Sequence, residues 1–242
     1  MSRSLRCPFC LTSKDLIRSH IIPAFCYDAA FDEKHRVLHI DAARAEAKPR
    51  QSGIWEPLLC AACDGFLNRY DSYFASIWST PPIPDPLLVA QHEIRSLDYR
   101  LFKLFHLSVL WRAHWSTHKA FAGVRLGPHE SRIRAMLKTG DAGVADVYPI
   151  WATCVVRETL EIERQLLVPH QPTHFSGHRF YVSMFGGCEW LIKISRHPWP
   201  DALSGNLSPA GYLTVHRRSR AALNYVHRFT AQFKENESHR NA

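Results

Sequence analysis

Leu58-Leu59-Cys60-Ala61-Ala62-Cys63-Asp64-Gly65-Phe66-Leu67-Asn68-Arg69-Tyr70, set beside Cys7-Pro8-Phe9-Cys10, decides how the first part of this chain folds. Each C-x-x-C pair places two thiolates on a tight turn, from which both sulfurs reach one tetrahedral Zn²⁺. Two pairs fill a four-ligand shell with Cys7, Cys10, Cys60 and Cys63, so the metal has a structural role. Phe66, Leu67, Tyr70 and Phe74 recur at helical steps after the second pair, so Cys60 and Cys63 open a helix. A knuckle, a hairpin and a helix that carries the last two ligands make a treble-clef arrangement. Forty-nine residues separate Cys10 from Cys60, which calls for an insertion between the knuckles. A redox dithiol is the competing reading of the cysteines.

The remaining cysteines, Cys26, Cys154 and Cys188, read as buried inert thiols. Seven cysteines in all, with no apolar signal core in Met1–Cys10 and no apolar run of spanning length, predict a soluble cytoplasmic protein without a membrane partner. A chain of 242 residues with 46% hydrophobic content can bury a substantial core without help from a metal. The net charge of +8 admits a nucleic-acid partner. Residues 1–90 hold ten Lys/Arg against ten Asp/Glu and residues 91–242 twenty against twelve, so the whole excess lies in the second part.

Four prolines within Ser79–Pro86 interrupt regular structure. The expected organisation is a zinc-binding domain over 1–78, a Pro-rich linker over 79–96 and a second α+β domain over 97–242. Apolar residues from Leu97 to Trp115 predict a helix with a broad buried face, and Pro128 with Glu130 predicts a helix start. Strands are expected at Ile150–Val156, Phe180–Phe185, Cys188–Ile194 and Tyr212–Val215, with Gly186-Gly187 as a two-residue hairpin turn. These strands predict an antiparallel sheet. A basic amphipathic helix is expected from Arg220 to Phe233. Its neighbourhood supplies Arg217, Arg218, Arg220 and Arg228 as candidate nucleic-acid contacts, and Trp111, Trp115, Trp151 and Trp190 read as core residues.

Cys7-x-x-Cys10, Ser19-His20-Ile21-Ile22-Pro23 and Leu58-Leu59-Cys60-x-x-Cys63 together resemble the zinc-bearing branch of the HNH, or ββα-metal, endonucleases. The resemblance covers roughly the first third of the chain. It implies a ββα fold in which His20 is the general base for phosphodiester hydrolysis in DNA, and Asp64 with Asn68 serves a catalytic Mg²⁺ or Mn²⁺ while zinc stays structural. Phage defence or mobile elements are the settings it suggests. The chain departs from the family pattern at Ser19, where an acidic or histidine ligand is common, at Asp64, where Asn or His is common, and in lacking the middle Asn before Cys60. Asn68 and Asp71 also fit a plain solvated helix face. Leu110-Trp111-Arg112 and Leu126–Glu130 resemble segments of uncharacterised bacterial proteins, which implies no activity. The alternative function is a non-catalytic zinc-finger module that binds nucleic acid or protein, as a subunit of a larger complex.

Overall fold

The structure, a computed structural model, describes residues 5–41, 46–80, 82–175, 177–195 and 206–222. Strands β1 (Leu5–Arg6) and β2 (Ser13–Lys14) pair across the first cysteine knuckle, and β3 (Leu16–His20) follows at once. The expected insertion comes next. A 3₁₀ turn at Ala24–Ala30 leads to β4 (Val37–Asp41) and β5 (Glu46–Arg50), which form their own two-stranded antiparallel sheet. β6 (Trp55–Cys60) then returns antiparallel to β3 with a bulge between Ile17 and Arg18, and runs straight into α1 (Ala61–Trp78). The bulge fixes which side chains of β3 face outward, because strand side chains alternate between faces. Arg18 and His20 thus share one face, while Ser19 turns inward and is 1% exposed.

Helix α1 buries Cys63, Leu67, Tyr70, Asp71, Phe74 and Trp78, an inward stripe at three- and four-residue steps. It packs on α2 (Tyr99–Trp115), whose N-terminus is capped by the Asp98 carboxylate accepting from Leu101 N–H at 2.9 Å. Every residue of α2 from Phe102 to Ala113 is buried, as expected of a helix covered on all sides. α3 (His129–Thr139) closes a further side and ends at Gly140, which takes the left-handed conformation (φ 71°).

The Pro-rich stretch is not entirely linker: it holds β7 (Gln91–Ile94). After α3 come β8 (Ile150–Val156), β9 (Val168–Phe175), β10 (His178–Phe185), β11 (Cys188–Lys193) and β12 (Leu213–Ser219). They join β7 in a six-stranded sheet of order β7-β12-β8-β11-β10-β9. The expectation of an antiparallel sheet needs correction, since β12 runs parallel to β8 while the other pairs are antiparallel. The reason is topological. β11 ends beside the start of β8, and the chain returns at that same end, where Leu207 N–H donates to the Ile150 carbonyl at 3.0 Å, so β12 sets out in β8's direction.

Gly186 and Gly187 form the β10–β11 turn with φ of 62° and 81°. A Cβ on Gly186 would fall 2.7 Å from the Trp78 indole, whose Nε1–H donates to the Gly186 carbonyl at 3.0 Å. The turn is thereby seated on the last turn of α1. Phe74, Phe102, Phe105, Phe185 and Trp190 meet in a buried aromatic cluster that joins α1, α2 and the sheet. One contiguous core runs from Cys7 and Phe9 to Val215. Trp111, Trp151 and Trp190 lie within the buried interior as expected, but Trp115 is 39% exposed at the end of its helix. Of the expected final helix only a 3₁₀ turn at Arg220–Ala222 lies among the described residues. Among those residues no helix is long and apolar enough to cross a membrane.

Candidate metal centre and adjoining cleft

The two cysteine pairs converge as their spacing requires. The sulfurs of Cys7, Cys10, Cys60 and Cys63 all lie within 4.8 Å of one another, and Cys10 Sγ is 4.0 Å from Cys60 Sγ. Tetrahedral thiolates about 2.3 Å from zinc are about 3.8 Å apart, so the cluster could hold a metal ion such as zinc after only small shifts. Three of the four are buried, and Cys10 is partly so. Cys7 Sγ accepts the Cys60 N–H at 3.5 Å, a contact that places a thiolate against the open end of α1. The Thr12 hydroxyl, 2.9 Å from Cys10 Sγ, lowers that thiol to about 6, whereas burial raises Cys63. Four neighbouring thiols cannot all ionise without a counter-charge, which a divalent cation would supply.

The first knuckle also stores strain. Leu11 sits at φ 64° so that its N–H can reach the Cys7 carbonyl at 2.8 Å. A branched residue in that conformation costs about 1–2 kcal/mol, which the surroundings must offset. Phe9 provides one anchor by meeting Phe66 at 5.8 Å and the edge of Trp111 at 5.3 Å between ring centroids.

Beside this centre lies a cleft of about 370 Å³ lined by Arg18, His20, Asp64, Asn68, Asp71 and Arg112 together with Ser72 and the Pro23–Phe25 turn. It therefore gathers His20, Asp64 and Asn68, which the sequence singled out. His20 ends β3 opposite Trp55. Asp64 lies in the first turn of α1, where the helix dipole favours an acidic side chain, and Asn68 follows one turn on, donating through Nδ2 to Ser72 Oγ at 3.3 Å. Burial, with Arg112 and Arg18 nearby, holds the His20 imidazole below its usual range, so the ring is neutral at neutral pH. Ser19, by contrast, points away from the cleft, its hydroxyl 3.4 Å from the Ile17 carbonyl.

Asp71 and Arg112 change the picture that the sequence gives. Asp71 is not part of a solvated face. It is buried, and Arg112 clamps both of its oxygens, Nη1 to Oδ2 at 3.0 Å and Nη2 to Oδ1 at 2.7 Å. The same Nη1 donates to the His20 carbonyl at 3.1 Å, and Nε to the Ser108 carbonyl at 3.4 Å. Burial raises the Asp71 carboxyl against the pull of Arg112, and the two-pronged contact keeps the pair ionic. One guanidinium from α2 thus ties together α1 and the end of β3. With both oxygens occupied, Asp71 leaves Asp64 as the free carboxylate of the cleft.

Leu110-Trp111-Arg112 and Leu126–Glu130 prove to be parts of one junction. Trp111 Nε1 and Trp115 Nε1 both donate to Glu130 Oε1, at 2.9 and 3.2 Å, and Arg134 lies 3.1 Å from the same oxygen. Trp111 also meets Phe9, so the junction runs from α3 to the cysteine knuckle. A second tie comes from Glu56 on β6, which accepts from Thr117 N–H at 3.1 Å, from its hydroxyl at 2.6 Å and from the Ser116 hydroxyl. Glu130→Gln, which keeps the shape but removes the charge shared by two indoles and Arg134, should lower stability by about 1–2 kcal/mol in denaturant titration.

Three of the four candidate arginines, all among the described residues, are engaged within the molecule. Arg217 donates through Nη1 to the Leu87 and Leu88 carbonyls at 3.1 and 2.6 Å, Arg218 bonds Glu189 at 3.0 Å, and Arg220 bonds Glu163 at 2.9 Å. Arg228 lies outside the described residues. Arg217, Arg218 and Arg220 do not line the cleft. The cationic groups that do, Arg18 and Arg112, were not among the sequence candidates for nucleic-acid contact. Their signals were faint: Arg18 precedes His20 by two positions, and Arg112 sits in the Leu-Trp-Arg segment. Comparison of the chain with protein-family models, with curated proteins and with solved structures finds no match.

Proposed function

We propose that this chain is an HNH-type endonuclease that hydrolyses phosphodiester bonds in DNA with the help of a divalent cation. The observation that carries the reading is the meeting of His20, Asp64 and Asn68 in one cleft, framed by the antiparallel pair β3 and β6 and the helix that follows. That strand–strand–helix order is compatible with the ββα arrangement of the family. The cysteine cluster beside it, which could hold a zinc ion, is compatible with a treble-clef site.

His20 takes the proton from a water molecule that attacks phosphorus, and one P–O bond to the leaving oxygen breaks. A neutral imidazole is required, which is the state that burial and the two arginines favour. Mg²⁺ or Mn²⁺, held by Asp64 with Asn68 as an oxygen donor, would supply positive charge for the developing phosphorane. One carboxylate suits Mg²⁺, which keeps several of its own waters. Asp64 and Asn68, one helical turn apart, present their side chains to the same space.

The test is cleavage of supercoiled plasmid by zinc-loaded protein with and without Mg²⁺ or Mn²⁺, run beside His20→Ala. The expected result is nicking or linearisation that needs the added ion and falls by about 10²–10⁴-fold in the variant. Because the imidazole is held below 6.5, activity should stay level from pH 8 to 7 and fall only as pH drops below that value. An acid limb above pH 7 would contradict His20 as base. The inward turn of Ser19 favours a second reading, a zinc module that binds DNA without cutting it. DNA retarded on a gel but intact with every metal would select that reading.

A further inference from the structure

The cleft holds two guanidiniums in opposite situations. Arg112 is buried and committed to Asp71 and to the His20 and Ser108 carbonyls. Arg18 is exposed, and among the described residues it has no carboxylate partner. Its Cζ lies 3.4 Å from the centroid of the Trp55 ring, so the guanidinium rests against the indole. Trp55 is the residue opposite His20 in the β3–β6 register.

We infer that Arg18, backed by Trp55, is the phosphate grip of this cleft, a two-pronged donor that seats a backbone phosphate of DNA beside His20. Three features support it. The N–H donors of a guanidinium point outward in its own plane, so an aromatic support beneath that plane leaves the fork free to meet phosphate oxygens. The support also restricts a side chain that otherwise carries about 2 kcal/mol of rotamer entropy, so less freedom is lost on binding. Finally, Arg18 and His20 lie two residues apart on one face of β3, about 7 Å along the strand, which lets one anion on that face be approached by both. The identity of the ligand rests on the nuclease reading, but the grip itself can be measured without turnover.

The experiment uses the full, zinc-loaded chain carrying His20→Ala, with a fluorescent DNA duplex as probe and anisotropy as readout over a series of salt concentrations. Adding Arg18→Ala should weaken binding roughly 10-fold or more and reduce the salt slope by about one phosphate contact. Arg18→Lys should restore only part of the affinity, because an ammonium keeps the charge but loses the fork. Arg95→Ala, at an exposed arginine paired with Glu93 on β7, should leave affinity unchanged within twofold. Equal binding by the Arg18→Ala and parent proteins would overturn the inference, as would an equal loss in Arg95→Ala. If the wild-type protein fails to cut DNA while the Arg18 effect persists, the nuclease reading fails and the phosphate grip stands. If wild type cuts and Arg18→Ala binds normally, the reverse holds.

Discussion

Arg112→Ala will lower stability by about 3–5 kcal/mol and remove cleavage activity, the largest expected effect of any single change outside the cysteines. The first number follows from what is left behind. Asp71 is buried, and its two oxygens have Arg112 as their partner. Deleting one member of a buried ion pair leaves an uncompensated charge, and such deletions typically cost about 3–5 kcal/mol. Burial already raises the Asp71 carboxyl, so part of the loss can be relieved by proton uptake. The variant should therefore be less destabilised at pH 5 than at pH 8. Equilibrium denaturation at the two pH values measures this directly.

Loss of activity has a separate cause, which a second variant isolates. Asp71→Leu with Arg112→Met replaces the pair by apolar groups of similar volume, an exchange that is often neutral or stabilising. It keeps the fold but removes the hydrogen bond from Arg112 to the His20 carbonyl. Cleavage should fall at least tenfold in the folded double variant, since small misplacement of a catalytic group is costly. Unaltered cleavage would show that Arg112 is structural and that His20 needs no support from α2. The same reasoning predicts that residues 1–78 alone do not form the cleft, because Arg112 of α2 lines it and is the partner of Asp71.

The sequence was most legible where one short segment carries its own pattern. Ile150–Val156 is a strand over the bounds that its β-branched run suggests, Gly186-Gly187 is the turn that two glycines with positive φ allow, and α2 follows the apolar spacing from Leu97 to Trp115. The cysteine pairs were legible because thiols at C-x-x-C spacing have few other uses. What escaped reading depends on distant partners. Nothing near Asp71 in the chain announces that Arg112 will neutralise it, so a helix-face carboxylate reads as solvated. β7 hides in a stretch dense in prolines, since its pairing with β12 is set by a strand more than a hundred residues away. The parallel pairing of β12 with β8 likewise reflects chain path, which periodicity does not encode. Trp115 has the same spacing as Trp111, yet the helix ends there and the residue stays 39% exposed. Arg217, Arg218 and Arg220 look like free charge until their acceptors, the Leu87 and Leu88 carbonyls, Glu189 and Glu163, are known.

Removing the metal should have a larger effect still, and the manner of its loss separates the two metals that the proposal invokes. The purified chain is expected to carry one zinc per molecule, released by a strong chelator or by Cys60→Ser. Structural zinc in small peptides contributes roughly 10–16 kcal/mol, and here it faces a knuckle made of two-residue strands with Leu11 strained at φ 64°. Without the metal, β1 and β2 keep only their short pairing and the Phe9 anchor, and four crowded thiols would face one another. The disturbance should spread along Phe9 to Trp111 and be visible in tryptophan fluorescence and near-ultraviolet circular dichroism. The six-stranded sheet is held by its own strand ladders and meets α1 at Phe74 and Trp78, the end of the helix remote from Cys60 and Cys63, so far-ultraviolet signal from the strands should persist. That sets the expected outcome as partial unfolding. Adding back Mg²⁺ to the stripped protein should restore neither the tryptophan signal nor cleavage, because a hard cation does not bind thiolates well. Zinc alone should restore the signal, and zinc with Mg²⁺ should restore cleavage. A chain that purifies without metal and melts identically with and without chelator would rule out the cysteine site. Recovery of cleavage with Mg²⁺ alone would mean that the cleft forms without the knuckle, and that the shared first helix does not couple the two centres.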